Sequence, residues 1–257
     1  MDLGIAGRTA VVCASTSGLG EGAARALGAE GANVLITGRR AERAKAIAAE
    51  LPSATGLGVD LLHLGAPEQI VDTATAAFGP VDILVLNGPG PKPGTALEVT
   101  TEDIDKAVAA LVRPQQKLVS LVLDGMRERG WGRILAIAST SVIQPIPNLT
   151  LSNIGRAALA GYLKTLATAV AADGVTVNLL LPGRIRTART TAVDSAVAQE
   201  TGRTEDEVRA EAAAAIPMGR YGDINEFGAV AAFLCSAQAS YVTGTAVRCD
   251  GGNVGSL

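Results

Sequence analysis

Residues 149–156 of this 257-residue chain read LTLSNIGR, a spacing that brings Ser152, Asn153 and Arg156 within about one helical turn. Ser139 closes the apolar run RILAIAS thirteen residues before Ser152. A hydroxyl can polarise a carbonyl by donating a hydrogen bond, and a guanidinium carries donors only. Neither group moves a proton easily. An aliphatic hydroxyl is a far weaker acid than a phenol, and arginine stays charged at neutral pH. Ser139, Ser152, Asn153 and Arg156 are the hydrogen-bonding side chains that these two stretches offer. Asn153 fits equally well as a polar residue on the exposed side of its helix.

A second constellation is CASTSGLGEG, residues 13–22, which leads straight into the helical GAARALGAEGA. Gly18 and Gly20 let the backbone turn sharply and approach a pyrophosphate, while amides at the start of the helix supply a positive end. Ser15, Ser17 and Leu19 belong to the same turn and count as binding residues. The next apolar run ends LITGRRAER. An acidic side chain there would hydrogen-bond a ribose 2′-hydroxyl, but Gly38 holds the position, followed by Arg39 and Arg40. Guanidinium groups suit a 2′-phosphate, so NADP(H) is expected over NAD(H). The alternative is that the two arginines merely begin a solvated helix.

These residues need elements to hold them. Short apolar runs at 9–13, 33–37, 56–60, 82–86, 133–139, 175–181 and 246–250 alternate with longer stretches such as AERAKAIAAEL, whose apolar residues recur at three and four. Most of the runs are apolar on both faces, as strands covered by helices must be. The pattern predicts an α/β chain: one doubly wound parallel sheet of about seven strands, a Rossmann fold with helices on both faces. Ligands in such sheets bind at the carboxyl ends of the strands. No Pro/Ser-rich linker or charge run divides the chain, so residues 1–257 are read as a single domain.

With these motifs in place, the chain resembles the short-chain dehydrogenase/reductase family from about residue 6 to 254. The family carries Thr-Gly-x-x-x-Gly-x-Gly at the first turn; Gly18 and Gly20 match, whereas Cys13 and Ala14 stand at the Thr and the first Gly. The resemblance implies an adenine contact by Asp60, with Leu61, in VDL. LNGPG at 86–90 stands where the family has Asn-Asn-Ala-Gly, so that Asn87 and Gly90 match while Gly88 and Pro89 depart. LPGRIRT at 181–187 matches Pro-Gly-x-x-x-Thr, which implies that Pro182, Gly183 and Ile185 sit beside the cofactor and that Thr187 meets the nicotinamide carboxamide.

The family usually transfers its proton with Tyr-x-x-x-Lys on a helix, assisted by a Ser and an Asn. A lysine cation beside a phenol lowers the phenol pKa toward neutrality. The alignment puts Ser152 at the Tyr, Arg156 at the Lys, Ser139 at the Ser and Leu111 at the Asn. One position of four is kept, and the resemblance thus implies Ser139, Ser152 and Arg156, with the adjoining Asn153, as the candidate catalytic set. Arg156 can still hold ribose hydroxyls and position a nicotinamide. Tyr162 lies about 15 Å along the helix from Ser152 and off its face. Nothing in the sequence turns Tyr221 or Tyr241 inward. The Ser-x-x-x-Arg pattern with QPIPNL nearby is similar to an atypical subgroup often labelled 3-oxoacyl-carrier-protein reductase-like, a label inherited from fold that says little about substrate.

Composition narrows the function classes. With 22 basic and 25 acidic residues the net charge of −3 gives no broad attraction for nucleic acid or anionic lipid. No signal peptide or long apolar run is present, and a cytoplasmic location is expected. Cys13, Cys235 and Cys249 lack metal-ligand spacing and read as buried thiols; His63, the only histidine, reads as a surface-loop residue. A Ser-His-Asp triad or a metal site has almost no material here. Residues 188–217 occupy the family's substrate-lid region, and their Ala-rich helical stretches favour a partly apolar small-molecule substrate. Helices around 101–129 and 150–173 carry more apolar surface than one sheet face covers, which with the resemblance implies a homotetramer or a dimer. The leading function is an NADP(H)-dependent oxidoreductase of carbonyl or alcohol substrates in which Ser139, Ser152 and water replace the tyrosine. Nucleotide binding without turnover, or a lyase or isomerase on the same fold, are the alternatives.

Overall fold

The structure, a computed structural model, describes residues 2–256. Seven strands form one sheet: β1 (Thr9–Val12), β2 (Asn33–Gly38), β3 (Ala54–Gly58), β4 (Ile83–Leu86), β5 (Gly132–Ile137), β6 (Val175–Pro182) and β7 (Ala246–Cys249). Their order is β3-β2-β1-β4-β5-β6-β7 and every pairing is parallel. The expected doubly wound sheet is therefore present. Strand order reverses between β1 and β4, which leaves a crevice at their carboxyl ends.

Alternate residues of each strand feed two cores. Val11, Leu84, Ile134 and Val177 pack on one face with α3 (Ala66–Phe78), α5 (Arg113–Glu128) and α6 (Thr150–Val170). Ala10, Val12, Ile83, Val85 and Leu135 pack on the other with α1 (Gly18–Ala29), α2 (Ala41–Ala49) and α9 (Ile224–Leu234). Both faces of β1, β4 and β5 are buried, which explains their unbroken apolar runs. Fully burying a side chain such as Phe227 or Leu118 contributes roughly 1.5–3 kcal/mol. No helix among the described residues is long and apolar enough to cross a membrane.

Three sequence boundaries shift in ways that shape the cleft. The run expected at 133–139 ends as a strand at Ile137; the Ala138 amide still donates to the Leu180 carbonyl of β6 at 3.0 Å, and Ser139 lies beyond the sheet, lining the cleft. The run expected at 56–60 ends as a strand at Gly58; the Val59 amide still donates to the Gly38 carbonyl at 2.9 Å, and Asp60 lies beyond the strand. The helical stretch expected over 101–129 is two helices, α4 (Thr101–Leu111) and α5, with Val112 between them. Pro114 lies in the first turn of α5, where its missing N–H and fixed φ are tolerated; inside a continuous helix both would break the ladder. Beyond β6, α7 (Ala188–Thr201) and α8 (Glu205–Ala214) span the expected lid region.

Candidate active site

The strand ends open into one cleft of about 920 Å³, at the upper end of the range for small-molecule sites. Its floor is made by residues that follow β1, β2, β4, β5 and β6. Ser17, Gly18, Leu19, Arg39, Arg40, Asp60 and Leu61 line one half. Ser139, Ser152 and Arg156 line the other, with Asn87, Gly88, Pro182, Gly183, Ile185 and Thr187 between.

The turn after β1 is shaped by close backbone packing. Gly18 has φ +59°, and Ala14 is the only non-glycine among the described residues with a positive φ, +47°. A Cβ on Gly20 would lie 2.5 Å from the Ala14 carbonyl oxygen, so Gly20 is a packing glycine that lets α1 sit on the turn. Ser17 occupies the N-cap position of α1 without making a side-chain cap bond. By contrast, α4, α7, α8 and α9 all begin with a capping box. The first-turn amides of α1, which have no helical acceptors, are left facing the cleft with the positive end of the helix dipole.

Thr16 governs the end of β2. A Cβ on Gly38 would come within 2.7 Å of the Thr16 hydroxyl oxygen, so no acidic side chain fits there. Arg40 reaches back and donates to the Thr16 carbonyl at 2.8 Å, bracing the turn, while Arg39 makes no hydrogen bond among the described residues. Asp60 accepts from the Leu62 amide at 3.1 Å. Asn87 donates to the Ala14 carbonyl at 3.3 Å, and its own carbonyl accepts from the buried Gln115 amide at 3.2 Å. Thr187 caps α7 by accepting from the Thr190 amide, with its methyl turned toward Gly18. A Cβ on Gly183 would lie 2.6 Å from Asp250 Cα, which fixes the β6 turn against the end of β7.

In the other half, Ser152 on α6 is 7% exposed. Arg156, one turn on, donates from Nε to the Ser152 hydroxyl oxygen at 3.2 Å and from Nη1 to the Ile137 and Ala138 carbonyls at 3.1 and 3.0 Å. Its Nη2 has no protein partner among the described residues. Burial, and then the nearby Arg189 charge, push the Arg156 pKa down to about 10, which leaves it a cation at neutral pH. Ser139 accepts from the Ser141 amide at 3.1 Å. The hydroxyl protons of Ser139 and Ser152 have no protein acceptor among the described residues. The chemistry on offer in this half of the cleft is thus two hydroxyl donors and a free guanidinium arm.

Several sequence-derived candidates do other work. Ser15 is fully buried and its hydroxyl ties β1 to β2, donating to the Val12 carbonyl at 2.7 Å and accepting from the Thr37 amide at 3.0 Å. It offers the cleft no side chain. Gly90 is covered by the Arg189 guanidinium. Asn153 turns away and clamps the preceding loop, donating to the Ile146 carbonyl at 2.9 Å and accepting from its amide at 3.4 Å. Leu111 packs where a Cβ on Gly155 would be 2.6 Å from its Cδ1, sealing α4 against α6 with no polar relay. Tyr162 packs at the edge of the core and does not line the cleft.

Tyr221 corrects the sequence reading: it points inward, 5% exposed, donating to Asp194 at 3.0 Å and accepting from Arg184 at 3.1 Å. That network ties α7 to the β6 turn, and the sequence missed it because Arg184, Asp194 and Tyr221 are far apart in the chain. Tyr241 is fully exposed and His63 is exposed. Cys13 and Cys235 are buried thiols whose pKa burial raises to about 12, which makes them unreactive; Cys249 is half-buried. Sequence reasoning also missed Thr16, Gln115 and Arg189. Arg189 stands two residues after Thr187, and that proximity was the available signal.

Residues 13–253 match a family profile described as enoyl-(acyl carrier protein) reductase. The rabbit (Oryctolagus cuniculus) dehydrogenase/reductase SDR family member 4 is 34% identical over 254 residues, covering 96% of this chain and 94% of that protein. Oxidoreductase UcpA of Salmonella typhimurium is 32% identical, covering 97% and 95%. Among solved structures, L-sorbose reductase from Gluconobacter frateurii, complexed with NADPH and L-sorbose, superposes with a TM-score of 0.94 at 30% identity over 100% of both chains. Actinorhodin polyketide ketoreductase with NADPH gives 0.89 at 30% identity, covering 96% and 97%. The seven-stranded parallel sheet, the glycine turn at its switch point and these full-length matches agree: the chain belongs to the short-chain dehydrogenase/reductase family.

Proposed function

We propose that this chain is an NADP(H)-dependent oxidoreductase of carbonyl or alcohol substrates, of an atypical Ser-x-x-x-Arg type. The observation that carries the reading is three unsatisfied donors, Ser139, Ser152 and Nη2 of Arg156, lining the same cleft as the glycine turn, in its other half. The NADPH complexes of the related reductases support the cofactor. So do the residues themselves. The uncapped start of α1 suits a pyrophosphate, and Arg39, Arg40 and the Thr16 hydroxyl suit a 2′-phosphate where Gly38 leaves no room for an acid.

Bound NADPH would supply the hydride to the carbonyl carbon. Ser139, Ser152 and Arg156 would donate hydrogen bonds to the carbonyl oxygen, and these strengthen as negative charge builds there. No phenol lines this cleft, so the proton reaches the oxygen from water. Desolvation strengthens each donor, because the Arg156 cation acts in a low-dielectric recess. Helices α7 and α8, anchored through Arg184, Asp194 and Tyr221, serve as the lid. A homotetramer or a dimer goes with this reading by the family resemblance, and Leu121 stands exposed on α5; light scattering that returned the mass of one chain would overturn that assembly.

Incubating the protein with NADPH and a panel of ketones and aldehydes tests the reading. Loss of nicotinamide absorbance with formation of alcohol supports it. NADPH bound but unconsumed across the panel would shift the assignment to nucleotide binding, and substrate conversion with no net NADPH change to a lyase or isomerase.

A further inference from the structure

The charges lining the cleft do not balance. Arg39, Arg40, Arg156, Arg184 and Arg189 face a single carboxylate, Asp60. Arg39 and Arg40 lie with Asp60 at the end assigned to the dinucleotide phosphate. Arg184 is neutralised by Asp194 at 3.0 Å. Arg156 and Arg189 remain, and neither forms a salt bridge among the described residues.

The two come from different elements, α6 and the first turn of α7. Arg156 commits Nε and Nη1 to protein oxygens and leaves Nη2 open. Arg189 makes no hydrogen bond among the described residues; its guanidinium nitrogens lie 2.7 and 2.8 Å from where a Cβ on Gly90 would stand. The cations are near enough for Arg189 to disfavour the charge on Arg156. Like charges held together without a counter-ion cost free energy, which an anionic ligand would recover. The same cleft is also lined by apolar side chains, among them Pro89, Ile146, Leu149 and Val193.

We propose that the substrate is an oxo acid, with its carbonyl oxygen at Ser139, Ser152 and Arg156 and its carboxylate gripped by Arg189 across a short apolar span. This rests on the reductase reading above. The carbonyl carbon gains a hydride from NADPH, the oxygen takes a proton from water, and a hydroxy acid and NADP⁺ result. The carboxylate passes through unchanged. Arginine suits this role because its planar fork matches a carboxylate in two parallel hydrogen bonds.

The test is calorimetric titration of the NADP⁺-loaded protein, which cannot reduce them, with α-, β- and γ-oxo acids of short to medium chain length, each beside its methyl ester, followed by turnover of the same compounds with NADPH. At least one acid binds about tenfold or more tighter than its ester, the size expected of charge-assisted hydrogen bonds. Arg189→Gln removes that gap and leaves NADPH affinity within about twofold, since its charge serves the substrate rather than the cofactor. Equal binding of acid and ester throughout would overturn the proposal. So would an Arg189→Gln protein that loses NADPH affinity but keeps its preference for acids. The two readings fail separately. Acids that bind tightly and are never reduced leave the carboxylate site standing and remove the reductase; esters reduced as well as acids do the reverse.

Discussion

Arg156 turns back along its own helix to donate from Nε to the Ser152 hydroxyl oxygen at 3.2 Å, while Nη1 holds the Ile137 and Ala138 carbonyls beside Ser139. One guanidinium therefore fixes both serines' surroundings and still has a free arm. Nη2 carries two N–H groups, so in this account it serves the nucleotide ribose as well as the carbonyl oxygen; replacing Arg156 with alanine is expected to lower NADPH affinity by roughly 1.5–3 kcal/mol. Ser139→Ala and Ser152→Ala leave that affinity almost unchanged. Calorimetry on the three variants checks the contrast; equal losses in all three would mean that the serines serve the cofactor.

Alkaline pH provides a second check. The Arg156 cation is the active form, and burial, reinforced by Arg189, has brought its pKa down to about 10. The rate therefore falls as pH rises through about 10 and is steady below it. Arg189→Gln removes the like charge, so the falling limb moves to higher pH. A limb that stays in place in this variant would mean that Arg189 does not act on Arg156.

Cofactor choice separates the two arginines after β2. Arg40 braces the Thr16 carbonyl at 2.8 Å, so Arg40→Ala weakens both dinucleotides, NADPH more than NADH. Arg39 has no such duty, and Arg39→Ala lowers only the preference for NADPH. Dissociation constants for both dinucleotides decide this. Equal constants in the unmodified protein would sink the NADP(H) assignment.

Much of this fold was legible in the chain, because a parallel sheet buried on both faces writes its strands as apolar runs and its helices at a different period. Gly18, Gly20 and Arg156 were legible for a related reason: turn geometry and charge are properties of the residue itself. What the sequence hid was set by tertiary packing. Ser15 spends its hydroxyl joining two strands, Asn153 clamps a loop, and Tyr221 is drawn inward by Arg184 and Asp194 from distant segments. The break between α4 and α5 follows from Pro114, a local signal that the helical pattern on either side obscured.

Ala14 offers a stability prediction. Its φ of +47° lies in the left-handed region, where a side chain costs about 1–2 kcal/mol, and the family resemblance places a glycine there. Ala14→Gly relieves that strain but makes the unfolded chain freer, so a net gain of about 0.5–1 kcal/mol is expected. Urea unfolding measures it. A destabilised variant would show that the turn is not strained.

Deuterium transfer tests the central claim most directly, that donors without a phenol suffice for carbonyl reduction on this fold. The protein is supplied with NADPH deuterated at the nicotinamide C4 and a panel of carbonyl compounds that includes oxo acids. The account predicts an alcohol with deuterium on its carbinol carbon, formed about a hundredfold more slowly by Ser139→Ala or Ser152→Ala. Intact, bound NADPH with no deuterated product from any carbonyl would contradict it.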